Sequence, residues 1–207
     1  FINYFLLNNK TSFSGFIAIS PKFSYNMENY LIERFDKIKT NVFYYLASSD
    51  RDFKSIDERT KEFSRNLNSS KNELISFKYK QYNNLTHYNL PIHSVSEGFE
   101  HVFATYSAIN SIEYDSVLKK TSLSPVKYLI NKYDNIANYY DINKTILVND
   151  IRAIEKYIEE SEQFKYYKDL SKLAIDKYPK TILGSYYMGL YYERTGDAIK
   201  AMHIYRS

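Results

Sequence analysis

Two stretches of this chain are apolar at every position, and each is followed by a segment of helical period. The first, Gly15-Phe16-Ile17-Ala18-Ile19, runs into Ser20 and is stopped by Pro21; the second, Val42-Phe43-Tyr44-Tyr45-Leu46-Ala47, runs into the polar Ser48-Ser49-Asp50-Arg51-Asp52. A strand with one wet face alternates. An unbroken apolar run of this length predicts a strand covered on both faces, the condition of a parallel sheet with helices on either side. Between the runs, residues 26–39 put Met27, Tyr30, Leu31, Phe35 and Ile38 on one helical stripe. After the second, Ser55-Ile56-Asp57-Glu58 has the form of a capping box opening a helix with Ile56, Phe63 and Leu67 inward. Residues 74–80 alternate as an outer strand would. Ser94-Val95-Ser96-Glu97 reads as a second capping box, with Val95, Phe99, Val102, Phe103, Tyr106 and Ile109 facing in. Strand and helix in strict alternation predict an α/β fold with a parallel sheet. Phe1 to Leu7 reads as the tail of a buried helix.

Beyond about residue 112 the strand signal stops. Pro125 suits the first turn of a helix over 125–140, and further helices are predicted at 149–160, 164–178, 182–194 and 197–206. Only five glycines occur in 207 residues, in keeping with a helix-rich chain. Gly189, Tyr192, Gly196, Ala201 and Tyr205 resemble the small and aromatic positions of a tetratricopeptide repeat, with Ala174 and Pro179 at corresponding places one repeat earlier. An ordinary helical hairpin is the plainer alternative. The expected organisation is an α/β portion, 1–112, followed by an all-α, tetratricopeptide-like portion, 113–207.

Composition removes several classes of function. Hydrophobic residues at 44% exclude a disordered chain, and no apolar run reaches the ~20 residues of a membrane-spanning helix. The net charge of +4 is scattered, with lysines such as Lys119, Lys127 and Lys144 spread along the tail, so nothing points to nucleic acid. Without cysteine there is no thiol catalysis and no cysteine-ligated zinc; the few histidines form no metal cluster, and nothing requires a cofactor. The tyrosine pairs, Tyr44-Tyr45 and Tyr186-Tyr187 among them, read as packing. The opening Phe1-Ile2-Asn3 has no basic segment or cleavage site of a signal peptide, and the chain is expected to begin in mid-structure, as the C-terminal part of a longer protein.

Chemistry in such a sheet belongs at the carboxyl ends of the strands. Asp50 and Asp52 follow the second strand, and His87 follows the third, on what reads as a long loop before a helix. An imidazole there can accept and return a proton near neutral pH, and a carboxylate can hold its ring. Either aspartate can fill that role, and His93 is a rival for His87. His101 and His203 fall within helices and read as structural. Acid first and histidine second is the end of the Ser…Asp…His order of the α/β-hydrolases.

The segment His87-Tyr88-Asn89-Leu90-Pro91-Ile92-His93-Ser94-Val95-Ser96-Glu97-Gly98 resembles the enterochelin-esterase-like branch of that fold at His87, Pro91, Ser94 and Gly98. Phe13 to Pro21 is similar to the family's sixth strand, and Tyr45 to Asp52 to its seventh, with Ser49 where the family usually has glycine and Asp52 on the acidic position. Asn89 departs from the family's Ser or Thr. The resemblance implies a serine carboxylic ester hydrolase acting on a small-molecule ester, with His87 as base, Asp52 as its orienter and no cofactor. It implies a periplasmic or secreted setting and leaves the cytoplasm open. No Gly-x-Ser-x-Gly occurs in the chain; the resemblance puts that serine within about ten residues before Phe1. These residues alone are then expected to be inactive, and to self-associate through the open side of their first strand. The helical tail would shape the site's entrance or bind a protein or peptide. The other reading is a non-catalytic interaction module, with those helices holding a peptide beside a degenerate hydrolase scaffold.

Overall fold

The computed structural model describes residues 1–8 and 12–206. The chain divides into two compact units, Phe1–Ala104 and Thr105–Ser207. The first contains three parallel strands, β1 (Gly15–Ile19), β2 (Val42–Arg51) and β3 (Ile75–Thr86), in the order β1-β2-β3. Its helices are α1 (Ile2–Leu7), α2 (Met27–Lys37), α3 (Lys54–Asn68) and α4 (Leu90–Phe103).

The unbroken apolar run of β2 has its cause in this order. β2 is the central strand, and all eight residues from Val42 to Ser49 are buried. Phe16, Ala18, Tyr44 and Leu46 share a core with Leu6 of α1, Met27, Leu31 and Phe35 of α2, and Phe63 and Leu67 of α3. On the other sheet face, Ile17 meets Gly98 of α4, and the rings of Phe43 and Tyr45 meet His101. Each large apolar side chain so enclosed contributes about 1.5–3 kcal/mol over leaving it in water. β3, on the rim, has no fully buried residue and mixes half-buried with exposed positions, as an outer strand does. Among the described residues β1 pairs on one side only.

Several local expectations are corrected. Ser94 does not cap α4. The helix starts at Leu90 with Pro91 in its first turn, and the Ser94 hydroxyl, inside the helix, donates to the Leu90 carbonyl at 2.9 Å. The buried face is Leu90, Ser94, Gly98 and Val102, while Val95, Phe99 and Phe103 are 39%, 53% and 44% exposed. Close approach decides this: a Cβ on Gly98 would stand 2.7 Å from Ile17 Cγ2, a gap that only glycine fits. Tyr106 and Ile109 lie past the end of α4 and pack into the second unit. Ser55 does not cap α3, which starts at Lys54 after Phe53 with no side-chain cap. Tyr30 is exposed, and α1 buries only Asn3 and Leu6.

Every regular element among the described residues of the second unit is a helix: α5 (Ser111–Ser116), α6 (Pro125–Tyr140), α7 (Val148–Glu160), α8 (Tyr167–Lys177), α9 (Leu183–Arg194) and α10 (Ala198–Arg206), with short 3₁₀ turns at 118–120 and 164–166. Ser124 caps α6 by accepting from the Lys127 amide, and Pro125 occupies its first turn. Glycines bring α8, α9 and α10 together: a Cβ would stand 2.3 Å from Ile175 at Gly184 and 2.1 Å from the Tyr205 ring at Gly189. The tyrosines bury their rings and give their hydroxyls to carboxylates, Tyr133 to Asp150, Tyr167 to Glu159 and Tyr187 to Glu155. Burial raises all three phenols well above their ordinary range, with those carboxylates adding to the rise, so each stays a donor. No helix of the described residues is long and apolar enough to cross a membrane.

Candidate active site

Each strand delivers one polar side chain just past its carboxyl end: Ser20 after β1, Asp52 after β2 and His87 after β3. The sheet register alone does not bring them together, because β1 ends opposite Ala47 and β2 runs on to Arg51. A tight turn does. The Asp52 amide donates to the Ser49 carbonyl at 3.1 Å, which folds Asp52 back towards the shorter strand. β3 is also longer than its alternating part suggests, reaching Thr86, so His87 stands on a short turn into α4 rather than on a long loop.

Asp52 Oδ1 lies 2.9 Å from His87 Nδ1 and also accepts from the Phe53 amide at 2.6 Å. The Asp52 side chain is fully buried, while that of His87 is 35% exposed. Ser20 Oγ donates to Asp52 Oδ2 and lies 2.8 Å from His87 Nδ1. Among the described residues the other ring nitrogen, Nε2, has no hydrogen-bond partner. A carboxylate on Nδ1 favours the tautomer with its proton there, which leaves a lone pair on Nε2 able to accept a proton.

Asp50 is engaged elsewhere. Its Oδ1 accepts from the Asn84 amide at 2.6 Å, and Ser49 Oγ accepts from the Leu85 amide at 3.2 Å. These bonds hold the irregularity where β2 and β3 lose register between Ser49 and Arg51 and where Asn84 has φ +63°. His93 is exposed on α4. His101 donates from Nε2 to the Ser76 carbonyl at 2.9 Å; burial lowers its pKa, that carbonyl opposes the fall and the Lys78 charge adds to it. His203 lies on α10. Among the described residues no group of three acidic or histidine side chains is arranged to hold a metal ion.

His87 opens on a cavity of about 380 Å³. Pro21, Phe23, Phe53 and Ile56 form its apolar wall, and the Phe53 and Tyr88 rings lie 5.2 and 5.6 Å from the imidazole. Arg59 braces that wall from α3. It pairs with Glu28 through two nitrogens at 2.6 and 2.8 Å and donates to the Phe23 and Ser24 carbonyls. Below the sheet ends lies a second polar cluster. Buried Ser48 donates to Asp57 Oδ1 at 2.7 Å and stands 2.8 Å from both Tyr79 and Gln81, and Lys61 reaches Asp57 Oδ2 at 2.6 Å. This cluster fastens the first turn of α3 to Ser48 of β2 and to Tyr79 and Gln81 in the middle of β3.

Ser20 is the member the sequence conceals. It closes an apolar run before a proline and looks like the end of a strand. Its backbone is the signal: φ is +49°, a left-handed conformation rare for a side-chain-bearing residue, and its amide donates to the Ala47 carbonyl at 2.8 Å. Such strain costs on the order of 1–3 kcal/mol and gathers at functional sites.

No protein-family model and no curated protein matches the chain. Two solved structures are similar. An uncharacterised protein from Capnocytophaga ochracea superposes on 99% of this chain with a TM-score of 0.80 at 22% identity. An IroE-like serine hydrolase from Shewanella oneidensis superposes on 83% with a TM-score of 0.60 at 15% identity. The chain spans 58% and 54% of those two proteins. It therefore shares its mixed α/β fold, a small parallel sheet with many helices, with a serine hydrolase.

Proposed function

We propose that this chain is the C-terminal part of a serine carboxylic ester hydrolase of the enterochelin-esterase-like kind. His87 acts as general base and acid, and Asp52 orients it. The reading is carried by the 2.9 Å contact between the buried Asp52 carboxylate and His87 Nδ1, which leaves Nε2 of a part-exposed ring without a partner among the described residues, beside a cavity with one apolar wall. The chemistry is acyl transfer. A serine hydroxyl attacks the ester carbonyl, Nε2 takes its proton and gives it to the leaving alcohol, and the carboxylate stabilises the imidazolium between the two events. Water then attacks the acyl-enzyme by the same route in reverse. The apolar wall of Phe23, Phe53 and Ile56 suits the hydrocarbon part of an ester.

The attacking serine is assigned to residues outside these 207. The absence of Gly-x-Ser-x-Gly, the single-sided pairing of β1 and the fraction of the solved relatives that is spanned all favour this. The helical unit is read as tetratricopeptide-like on the close packing of Gly184 against Ile175 and Gly189 against Tyr205.

The test is covalent labelling by a fluorophosphonate, read by mass spectrometry on the whole polypeptide that carries this sequence. The expected adduct is on a serine before Phe1, abolished by His87→Ala and reduced by Asp52→Ala. An adduct within the 207 residues, or none at all, would overturn the assignment, and none at all would favour the interaction-module reading.

A further inference from the structure

The Asp52–His87 pair has a third member whose arrangement fixes which way protons run. Ser20 Oγ–H points at Asp52 Oδ2, and the same oxygen stands 2.8 Å from His87 Nδ1. Its one proton is committed to the carboxylate, so the face it turns to the imidazole is a lone pair. A lone pair can only accept there, and Nδ1 must then carry the hydrogen, shared between Ser20 Oγ at 2.8 Å and Asp52 Oδ1 at 2.9 Å. Of the ordinary small side chains, only a hydroxyl gives to a carboxylate and accepts from a ring N–H through one atom. The geometry also excludes Ser20 as the attacking group. It sits on the Nδ1 edge, opposite the lone pair that would deprotonate it, and the residue is only 6% exposed. The strained backbone points the same way. At φ +49° a glycine would sit without strain, so what the serine adds at this position is its hydroxyl.

We propose that Ser20 is a positioning residue that locks the Asp52 carboxylate and holds His87 as the Nδ1–H tautomer, keeping the Nε2 lone pair available. This rests on His87 being the base of the reaction, and the test separates the two. In the whole polypeptide that carries this sequence, with histidines labelled by ¹⁵N and His87 assigned by its loss in His87→Gln, the ring nitrogen shifts report the ratio of the two neutral tautomers. Ser20→Gly deletes the hydroxyl and relieves the backbone. It is expected to stay folded while the Nδ1–H to Nε2–H ratio of His87 falls roughly three- to tenfold, the equilibrium worth of one net hydrogen bond. Ser20→Ala deletes the same hydroxyl while keeping a Cβ, and must move the ratio the same way. In ester hydrolysis both variants lower kcat and leave KM unchanged. A tautomer ratio unmoved in either folded variant overturns the role of Ser20, whatever the activity. A wild-type protein with the stated tautomer but neither hydrolysis nor fluorophosphonate labelling overturns instead the assignment of His87 as base.

Discussion

Asp57→Asn measures the clamp beneath the candidate site. The carboxylate accepts from Ser48 Oγ at 2.7 Å and Gln81 Nε2 at 3.3 Å through Oδ1, and from Lys61 Nζ at 2.6 Å through Oδ2. Every neighbour is a donor, so an amide group cannot satisfy all of them. Its least costly orientation keeps the oxygen towards Ser48 and turns the NH₂ group to Lys61. That leaves the Ser48 bond neutral rather than charge-assisted, a loss of about 1 kcal/mol. The Lys61 side chain is 42% exposed, which limits the lost ion pair to at most about 1 kcal/mol. The sum is about 1–2 kcal/mol of stability at neutral pH, read as a shift in urea midpoint at unchanged slope. The pH dependence is equally definite. Burial works to raise the Asp57 pKa, but the hydrogen bonds from Lys61, Ser48 and Gln81 outweigh it and hold it below its ordinary value of 3.8. A carboxylate depressed in the folded state stabilises fully above its unfolded pKa and loses that contribution as pH falls through the folded one. The gap between wild type and Asp57→Asn should therefore be full at about pH 7 and close below about pH 3.8. A gap under about 0.5 kcal/mol at neutral pH, within ordinary surface effects, or one that persists undiminished in acid, would refute the account of the cluster.

Three further tests probe other parts of the first unit. Tyr44, fully buried in β2, donates to Asn3 Oδ1 of α1 at 3.0 Å, and Tyr44→Phe should cost about 1–3 kcal/mol by stranding that oxygen, with Asn3→Leu in the same chain recovering most of it in urea titrations. Gly98→Val should cost at least about 1–3 kcal/mol by driving Ile17 from its rotamer, and should broaden the His87 resonances because α4 begins three residues after that histidine. His101 has its pKa lowered by burial, so below about 6.5 the unfolded chain takes up a proton that the folded chain resists; wild type should lose more stability than His101→Gln between about pH 7 and pH 5. Equal losses would contradict the burial argument.

What could be read in the sequence, and what could not, divides along physical lines. β2 was legible because burial on both faces leaves an unbroken apolar run. The Asp-then-His order at successive strand ends was legible because parallel topology sends every strand's carboxyl end to one side. The contact face of α4 was not. Hydrophobicity favours Val95, Phe99 and Phe103, but the sheet selects the side where Ser94 and Gly98 are small enough to let the helix approach Ile17. The last residues of β3 were hidden too, since Asn83-Asn84 has the composition of a turn. The ladder continues through them because Asp50 and Ser49 hold the Asn84 and Leu85 amides across the irregularity.

That irregularity also explains why two aspartates in one short turn have different surroundings. Asp50 Oδ1 accepts from the Asn84 amide, three residues before His87, and so is committed to the β3 backbone rather than to the imidazole. With Asp50 spent on the backbone, the Ser49–Asp52 turn is free to swing the later carboxylate inward, where it is fully buried. Burying a carboxylate is costly unless its oxygens are met by donors. Here the donors come from all three strand ends: the Ser20 hydroxyl after β1, the Phe53 amide after β2 and the His87 ring after β3. The parallel sheet thus does more than hold the groups in place. By converging three chain segments on one carboxylate, it gives both oxygens of the buried Asp52 side chain a donor, which the proposed partnership of Asp52 with His87 requires.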